Sequence, residues 1–178
     1  MGKKKIIAII PARSGSKSIK NKNILLLKKK PLIAWSIESC IKSKVFSKIY
    51  ISTDSLKYAK IAQKYKEVEI IIRPKNISKD FSTDYQMIKH SIDNIKEDYE
   101  FIAHIRPTSP LRKIKDIRDA IKSFVNVKYN SLRSVHEMSE SSYKSVEIKK
   151  GLLTPLRNIK KSLDEINQIG RASCRERV

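Results

Sequence analysis

Lys5-Ile-Ile-Ala-Ile-Ile-Pro-Ala-Arg-Ser-Gly-Ser-Lys-Ser-Ile-Lys-Asn-Lys-Asn-Ile24 decides how the rest of the chain is read. Ile6, Ile7, Ile9 and Ile10 form a short, nearly continuous apolar run, the pattern of a strand buried on both faces of a parallel sheet. Pro11 ends the ladder because it has no N–H to donate. The loop that follows mixes small Ser14, Gly15 and Ser16 with the cations Arg13, Lys17, Lys20 and Lys22. Ligands of open α/β sheets bind at the carboxyl ends of strands. Small residues there let backbone N–H groups approach an anion. An arginine grips phosphate oxygens through two parallel hydrogen bonds, whereas a lysine acts as a point charge. The loop reads as a cradle for a triphosphate or, on pattern alone, as a solvated basic turn. It is not a P-loop: where that motif needs its first glycine, the chain has Pro11 and Ala12.

Downstream, strands and helices alternate. Pro31–Lys44 carries Leu32, Trp35, Ile37, Cys40 and Ile41 at helical spacing, with Pro31 suited to the first turn and Trp35 expected in the core. Lys48–Ser52 predicts a second strand, ending in Thr53-Asp54. Asp54 either faces the nucleotide pocket or caps a helix over Leu56–Tyr65. Val68–Ile72 predicts a third strand, followed by Arg73-Pro74. Ser82 or Thr83 should cap a helix running to about Lys96, with Met87, Ile88, Ile92 and Ile95 inward. Phe101–Ile105 predicts a fourth strand, Arg106–Arg112 a proline-containing loop, Ile114–Phe124 a helix and Tyr129–Val135 a fifth strand. Ser142–Ile148 and Leu152–Leu156 read as a hairpin around Lys150-Gly151. The alternation predicts an α/β fold with a doubly wound, mostly parallel, Rossmann-like sheet.

Ile10-Pro-Ala-Arg-Ser-Gly-Ser-Lys17, followed by Lys22-Asn-Ile24, resembles the signature of the acylneuraminate cytidylyltransferases, or CMP-sialic acid synthetases. A second signature, Arg106-Pro-Thr-Ser-Pro-Leu-Arg112, follows downstream, and Ile51-Ser-Thr-Asp54 and Ile72-Arg-Pro74 also fit. The resemblance runs from about Lys4 to about Arg157. It implies a nucleotide-diphospho-sugar transferase-like fold and transfer of CMP from CTP to the C2 hydroxyl of a nonulosonic acid, with release of pyrophosphate. It implies catalytic contacts from Arg13 and Lys22 to the CTP phosphates. Ala12, Ser14, Ser16, Lys17 and Asn23 belong to the same nucleotide site, and Arg73, Ser82 and Thr83 line the cytidine pocket. A surface ion pair is the plain alternative for Arg73. Arg106 departs from the family, whose better-known members carry Gln there. It either reads the sugar carboxylate or pairs with a nearby carboxylate. The expected cofactor is Mg2+, held in the family by an Asp-x-Asp near the C-terminus, a motif absent from this chain. The expected partners are CTP, an acidic nine-carbon sugar and, at full length, a second copy. A CMP-Kdo synthetase is the nearest rival, and a basic nucleic-acid-binding α/β domain is the rival from another class.

The length of 178 residues suits one domain with a real core. A formal charge of +21 suggests nucleic acid, yet the 29 lysines outnumber the 10 arginines and spread along the whole chain. Aromatics at 7% offer little for a stacking platform, so a solvated lysine surface with an anionic substrate is the simpler account. No stretch has the length of a membrane span, and Met-Gly-Lys-Lys-Lys5 opens a poor signal peptide, so the expected compartment is the cytoplasm with no membrane partner. Ile169–Val178 reads as a translated sequencing adapter. The expected organisation is therefore a nucleotide-binding domain over 1–168, incomplete at its C-terminus, and a non-native tail over 169–178. Such a chain is expected to bind CTP weakly and to turn over poorly or not at all. Without the tail Cys40 stands alone, and it reads as a packed small hydrophobe.

Overall fold

A computed structural model describes residues 4–16, 19–79, 81–126 and 130–135, together with the backbone of 146–149 and 152–155. The chain divides into two compact units, Met1–Leu132 and Arg133–Val178. The first unit contains β1 (Ile6–Pro11), a 3-10 turn (Lys22–Ile24), β2 (Leu26–Leu27), β3 (Lys30–Pro31), α1 (Leu32–Ser43), β4 (Lys48–Thr53) and α2 (Leu56–Ala62). It continues through β5 (Val68–Ile72), α3 (Asp84–Asn94), β6 (Phe101–His104) and α4 (Ile114–Val125). The second unit contains the antiparallel hairpin β7 (Val146–Lys149) and β8 (Leu152–Pro155), with Val146 opposite Pro155, as the Lys150-Gly151 turn predicts.

The main sheet runs β5-β4-β1-β6, and each pairing is parallel. In chain order its strands lie third, second, first, fourth, so the winding direction reverses between β1 and β6. That reversal is the topological switch point of a doubly wound sheet. Side chains along β1 alternate between two cores. Ala8, Ile10 and Ala12 pack with Ile33, Ile37 and Cys40 of α1 and with Tyr58 and Ala62 of α2. Ile7 and Ile9 pack with Tyr50, Ile71 and Met87 of α3. Both faces are covered, which is why the strand reads as a continuous isoleucine run rather than an alternating one. Helix α4 anchors on α1: Arg118 Nε donates to the Ser43 carbonyl and Nη2 to the Lys42 carbonyl, each at 3.0 Å, satisfying orphan carbonyls at the α1 C-terminus. Cys40 is a buried free thiol, and burial pushes its pKa up to about 12, so it packs as an inert hydrophobe.

Five local expectations change. Pro31 is the N-cap of α1 rather than part of its first turn. Trp35 sits only half-buried, against an unforeseen hairpin: its Nε1 donates to the Leu27 carbonyl at 3.2 Å, and the Lys30 ammonium lies 4.6 Å from its ring. That hairpin, β2–β3, turns through Lys28 and Lys29, both with positive φ (48° and 63°). Two such residues make the primed turn that suits strand twist, but Asn-Gly is its usual sequence sign. Helix α2 is capped by Ser55 rather than Asp54, with Ser55 Oγ accepting from Tyr58 N–H at 3.4 Å, and it ends at Ala62, short of Tyr65. Thr83 caps α3 in a reciprocal box with Gln86; Met87 and Ser91 face the sheet, which turns Ile92 outward at 38% exposure. The expected fifth strand fails over 130–135. That segment is exposed throughout, with Val135 88% accessible, and joins no strand among the described residues; Tyr129 lies outside them.

His104 ends β6 on the α3 side of the sheet, in register with Ile9. Burial pulls its pKa below the ordinary 6.5; nearby Asp84 opposes that shift, while Arg106 and Arg73 reinforce it. A folded-state pKa below the unfolded one means the unfolded chain takes up the proton first. Stability is therefore full above about pH 6.5 and falls as the pH drops through the depressed folded value. In urea titrations between pH 8 and 5, the His104→Gln variant should lose less of its midpoint than wild type. Removing the α3 cap with Thr83→Ala should lower stability by about 1 kcal/mol, read from the same midpoint at pH 7.5.

Candidate active site

A cleft of about 250 Å3 opens at the carboxyl ends of β1 and β6, at the switch point. Three segments line it. The exit of β1 supplies Pro11, Arg13, Ser16, Lys22 and Asn23; the exit of β5 and the start of α3 supply Arg73, Ser82, Thr83, Asp84 and Met87; the exit of β6 supplies Arg106, Pro107 and Thr108. Among the described residues the lining carries four cations, Arg13, Lys22, Arg73 and Arg106, against the one carboxylate of Asp84. Such a concave site concentrates positive potential and selects for a multiply charged anion.

The loop after β1 is pinned to the end of β4. Ala12 N–H donates to the Ser52 carbonyl (2.8 Å), and Thr53 Oγ1 donates to the Ala12 carbonyl (2.7 Å). Ser14 then donates twice to Asp54, from its N–H to Oδ1 and from its hydroxyl to Oδ2, each at 2.7 Å. On the other side, Asn23 Nδ2 donates to the Arg13 carbonyl at 2.9 Å, with Asn23 only 5% exposed. Arg13 is thereby bracketed on both sides while its side chain lines the cleft. Asn21, at φ 55°, bends the chain into the 3-10 turn that carries Lys22 and Asn23. Asparagine tolerates this left-handed conformation better than most residues, and the hydroxyl of buried Tyr58 donates to its Oδ1 at 3.2 Å.

Arg73 is no surface ion pair. It is 6% exposed, its Nε donates to Ser52 Oγ (3.2 Å) and its Nη2 to the Ser52 carbonyl (2.9 Å). Burial works against its charge and nearby Arg13 adds to that, while Asp54 and Asp84 support it. Arginine stays protonated under such pressure, so a fixed cation forms the floor of the site. On the rim, Arg106 Nη2 pairs with Asp84 Oδ2, both side chains about half exposed.

The described residues thus gather Arg13, Ser16, Lys22, Asn23, Arg73, Ser82, Thr83 and Arg106 around one cleft. Ala12 is fully buried behind it, and Ser14 is engaged with Asp54 rather than lining it. Lys17 lies outside the described residues. The sequence assigns no role to Asp84, whose signal is an acidic residue directly after an N-cap threonine. Of the two roles open to Asp54 the cap goes to Ser55, and Asp54 holds Ser14 behind the cleft. Among the described residues no helix is long and apolar enough to cross a membrane.

A family model described as Cytidylyltransferase matches residues 7–168. The chain is 42% identical over 139 residues to an N-acylneuraminate cytidylyltransferase of Escherichia coli O18:K1:H7, a match covering 78% of this chain and 33% of that protein. It is 33% identical over 124 residues to a pseudaminic acid cytidylyltransferase of Campylobacter jejuni serotype O:23/36, covering 68% of this chain and 53% of the relative. Among solved structures, a CMP:2-keto-3-deoxy-manno-octonic acid synthetase complexed with CTP superposes with a TM-score of 0.59 at 17% identity, over 68% of this chain and 48% of that one. This last likeness is one of fold. The chain spans between a third and about half of the length of these curated relatives. With the match extending over nearly the whole of β1–β8, the chain belongs to the cytidylyltransferase family.

Proposed function

We propose that this chain is the nucleotide-binding part of an enzyme that transfers CMP from CTP to the C2 hydroxyl of a nonulosonic, sialic-type acid. The full-length protein is a cytoplasmic homodimer that takes CTP and the acidic nine-carbon sugar as substrates. The observation that carries the reading is the convergence of Arg13, Lys22, Asn23 and Arg73 on one cleft at the switch point. In the reaction the sugar oxygen bonds to the α-phosphorus of CTP, and the bond from that phosphorus to the β-phosphate bridging oxygen breaks. The hydroxyl proton passes to solvent water, and negative charge grows on the departing pyrophosphate. Arg13 and Lys22 are the groups placed to meet that charge, and preorganised cations in a partly water-excluded site stabilise it more than solvent does. Arg73, Ser82 and Thr83 hold the nucleoside end, and Arg106 faces the acceptor's carboxylate.

The described residues of the cleft do not fit a resident Mg2+. No group of three or more His, Cys, Asp or Glu stands together among them, and the one lining carboxylate, Asp84, is engaged with Arg106. Mg2+ enters this reading as part of the substrate, bound to CTP phosphate oxygens, and the chain's own contribution is its set of cations.

Calorimetric titration with Mg2+·CTP at about 0.15 M salt, where surface charge is largely screened, tests the reading. Arg13→Ala should weaken binding about tenfold or more, the scale of a lost charged hydrogen bond. Duplex DNA should compete poorly. Absence of CTP binding by wild type would overturn the assignment. A finer probe is Gly15→Ala. A Cβ at Gly15 meets nothing within 4 Å, and its φ lies outside the left-handed region, so the variant should fold at least as stably as wild type. If the backbone at Gly15 closely approaches phosphate, its CTP affinity should nevertheless fall several-fold by the same titration.

A further inference from the structure

We infer that Asp54 is a positioning residue for the phosphate loop: it aims Arg13 into the cleft by fastening Ser14 to the end of β4. The inference rests on the nucleotide reading above for its consequence, and on geometry alone for its physical content. Pro11 has no N–H, so the backbone ladder between β1 and β4 closes at the Pro11–Ser52 register. There three consecutive residues take over, the last two of β4 and the one that follows it. Ser52 and Thr53 hold Ala12, and Asp54 holds Ser14 through both carboxylate oxygens. The residue between the two held ones is Arg13, whose carbonyl is fixed from the far side by Asn23. Two bonds to an ionised acceptor are about twice as strong as neutral ones, so Asp54 is the firmest of these ties.

The carboxylate also uses up the donors of Ser14. A serine N–H and hydroxyl beside a polyphosphate would otherwise compete with Gly15 and Ser16 for the ligand. With Ser14 occupied, the cleft lining from this loop passes from Arg13 to Ser16. Asp54 carries no lining atom itself, and so acts through Ser14 rather than on the nucleotide. Its charge is matched by Arg73, whose guanidinium it supports.

The test uses the full chain with Asp54→Ala, Asp54→Asn, Ser14→Ala and the Asp54→Ala/Ser14→Ala double variant. Two readouts are taken: Mg2+·CTP affinity by calorimetry and amide hydrogen exchange over residues 12–16 and, as control, over β1. Asp54→Ala should weaken CTP binding about tenfold and speed exchange over 12–16 about as much, while β1 stays protected. The double variant should be no worse than Asp54→Ala, because both changes cut one tie. Asp54→Asn, whose Oδ1 can still accept from Ser14 N–H while its amide donates to the hydroxyl, should stay within about threefold of wild type. CTP affinity within twofold of wild type in a folded Asp54→Ala variant would overturn the inference, as would effects of the two single changes that multiply. Unchanged exchange over 12–16 would overturn it too. Should wild type fail to bind CTP, the nucleotide reading falls, while the exchange comparison still decides whether Asp54 orders the loop.

Discussion

The site depends on one constraint: a strand that ends in proline must hand its following loop to a neighbour. β1 is the centre of the molecule, buried on both faces and hydrogen-bonded on both edges. Its geometry is therefore fixed up to Pro11 and unsupported after it. The polar close of β4, Ser52-Thr53-Asp54, supplies the support. Ser52 and Thr53 are fully buried polar residues with their hydrogen bonds made, which is the condition on which buried polar groups are tolerated. The same residues also carry Arg73, whose backbone N–H donates to the Thr53 carbonyl at 2.7 Å and whose guanidinium donates to Ser52. One strand end thus sets two cleft cations, one directly and one through its loop.

Placing Arg13 and Arg73 near each other has an electrostatic cost, and burial raises it for Arg73. The fold offsets it with carboxylates placed behind or beside the cations. Asp54 sits beneath the loop, and Asp84 sits on the opposite rim against Arg106. The Asp84–Arg106 pair is half exposed on both sides, so it stabilises little by itself. For the same reason it is readily exchanged for another anion, and Arg106 can keep its charge available to a ligand. Of the two alternatives for Arg106, the geometry shows pairing with a protein carboxylate, Asp84.

Much of the fold was legible because burial writes itself into spacing. The isoleucines of β1, the helical repeat of Ile37, Cys40 and Ile41, and Thr83 before α3 each follow from one local rule. The residue types of the loop alone leave a phosphate cradle and a solvated basic turn both open; the motif resemblance points to Arg13, Lys22, Asn23 and Arg73, which the fold brings to one cleft. What stayed hidden was set by tertiary choice. Lys28-Lys29 turns a hairpin without glycine because α1 and Trp35 give that hairpin a surface to pack on. Asp54 and Ser55 are interchangeable as caps in sequence, and only the approach of Ser14 separates them. Residues 130–135 have strand-like side chains, yet they stay exposed and join no strand among the described residues.

The formal charge of +21 describes the surface poorly as a guide to function. A lysine in open water acts over about 8 Å at physiological salt and orients nothing. Within the cleft, Arg73 is held by two hydrogen bonds to Ser52, and the backbone on either side of Arg13 is held by Asp54, through Ser14, and by Asn23. Cations held at neighbouring strand ends present a localised positive field that solvated surface lysines do not. The abundance of lysine contributes attraction without discrimination, and selectivity among anions has to come from the groups held in place by the β4 end.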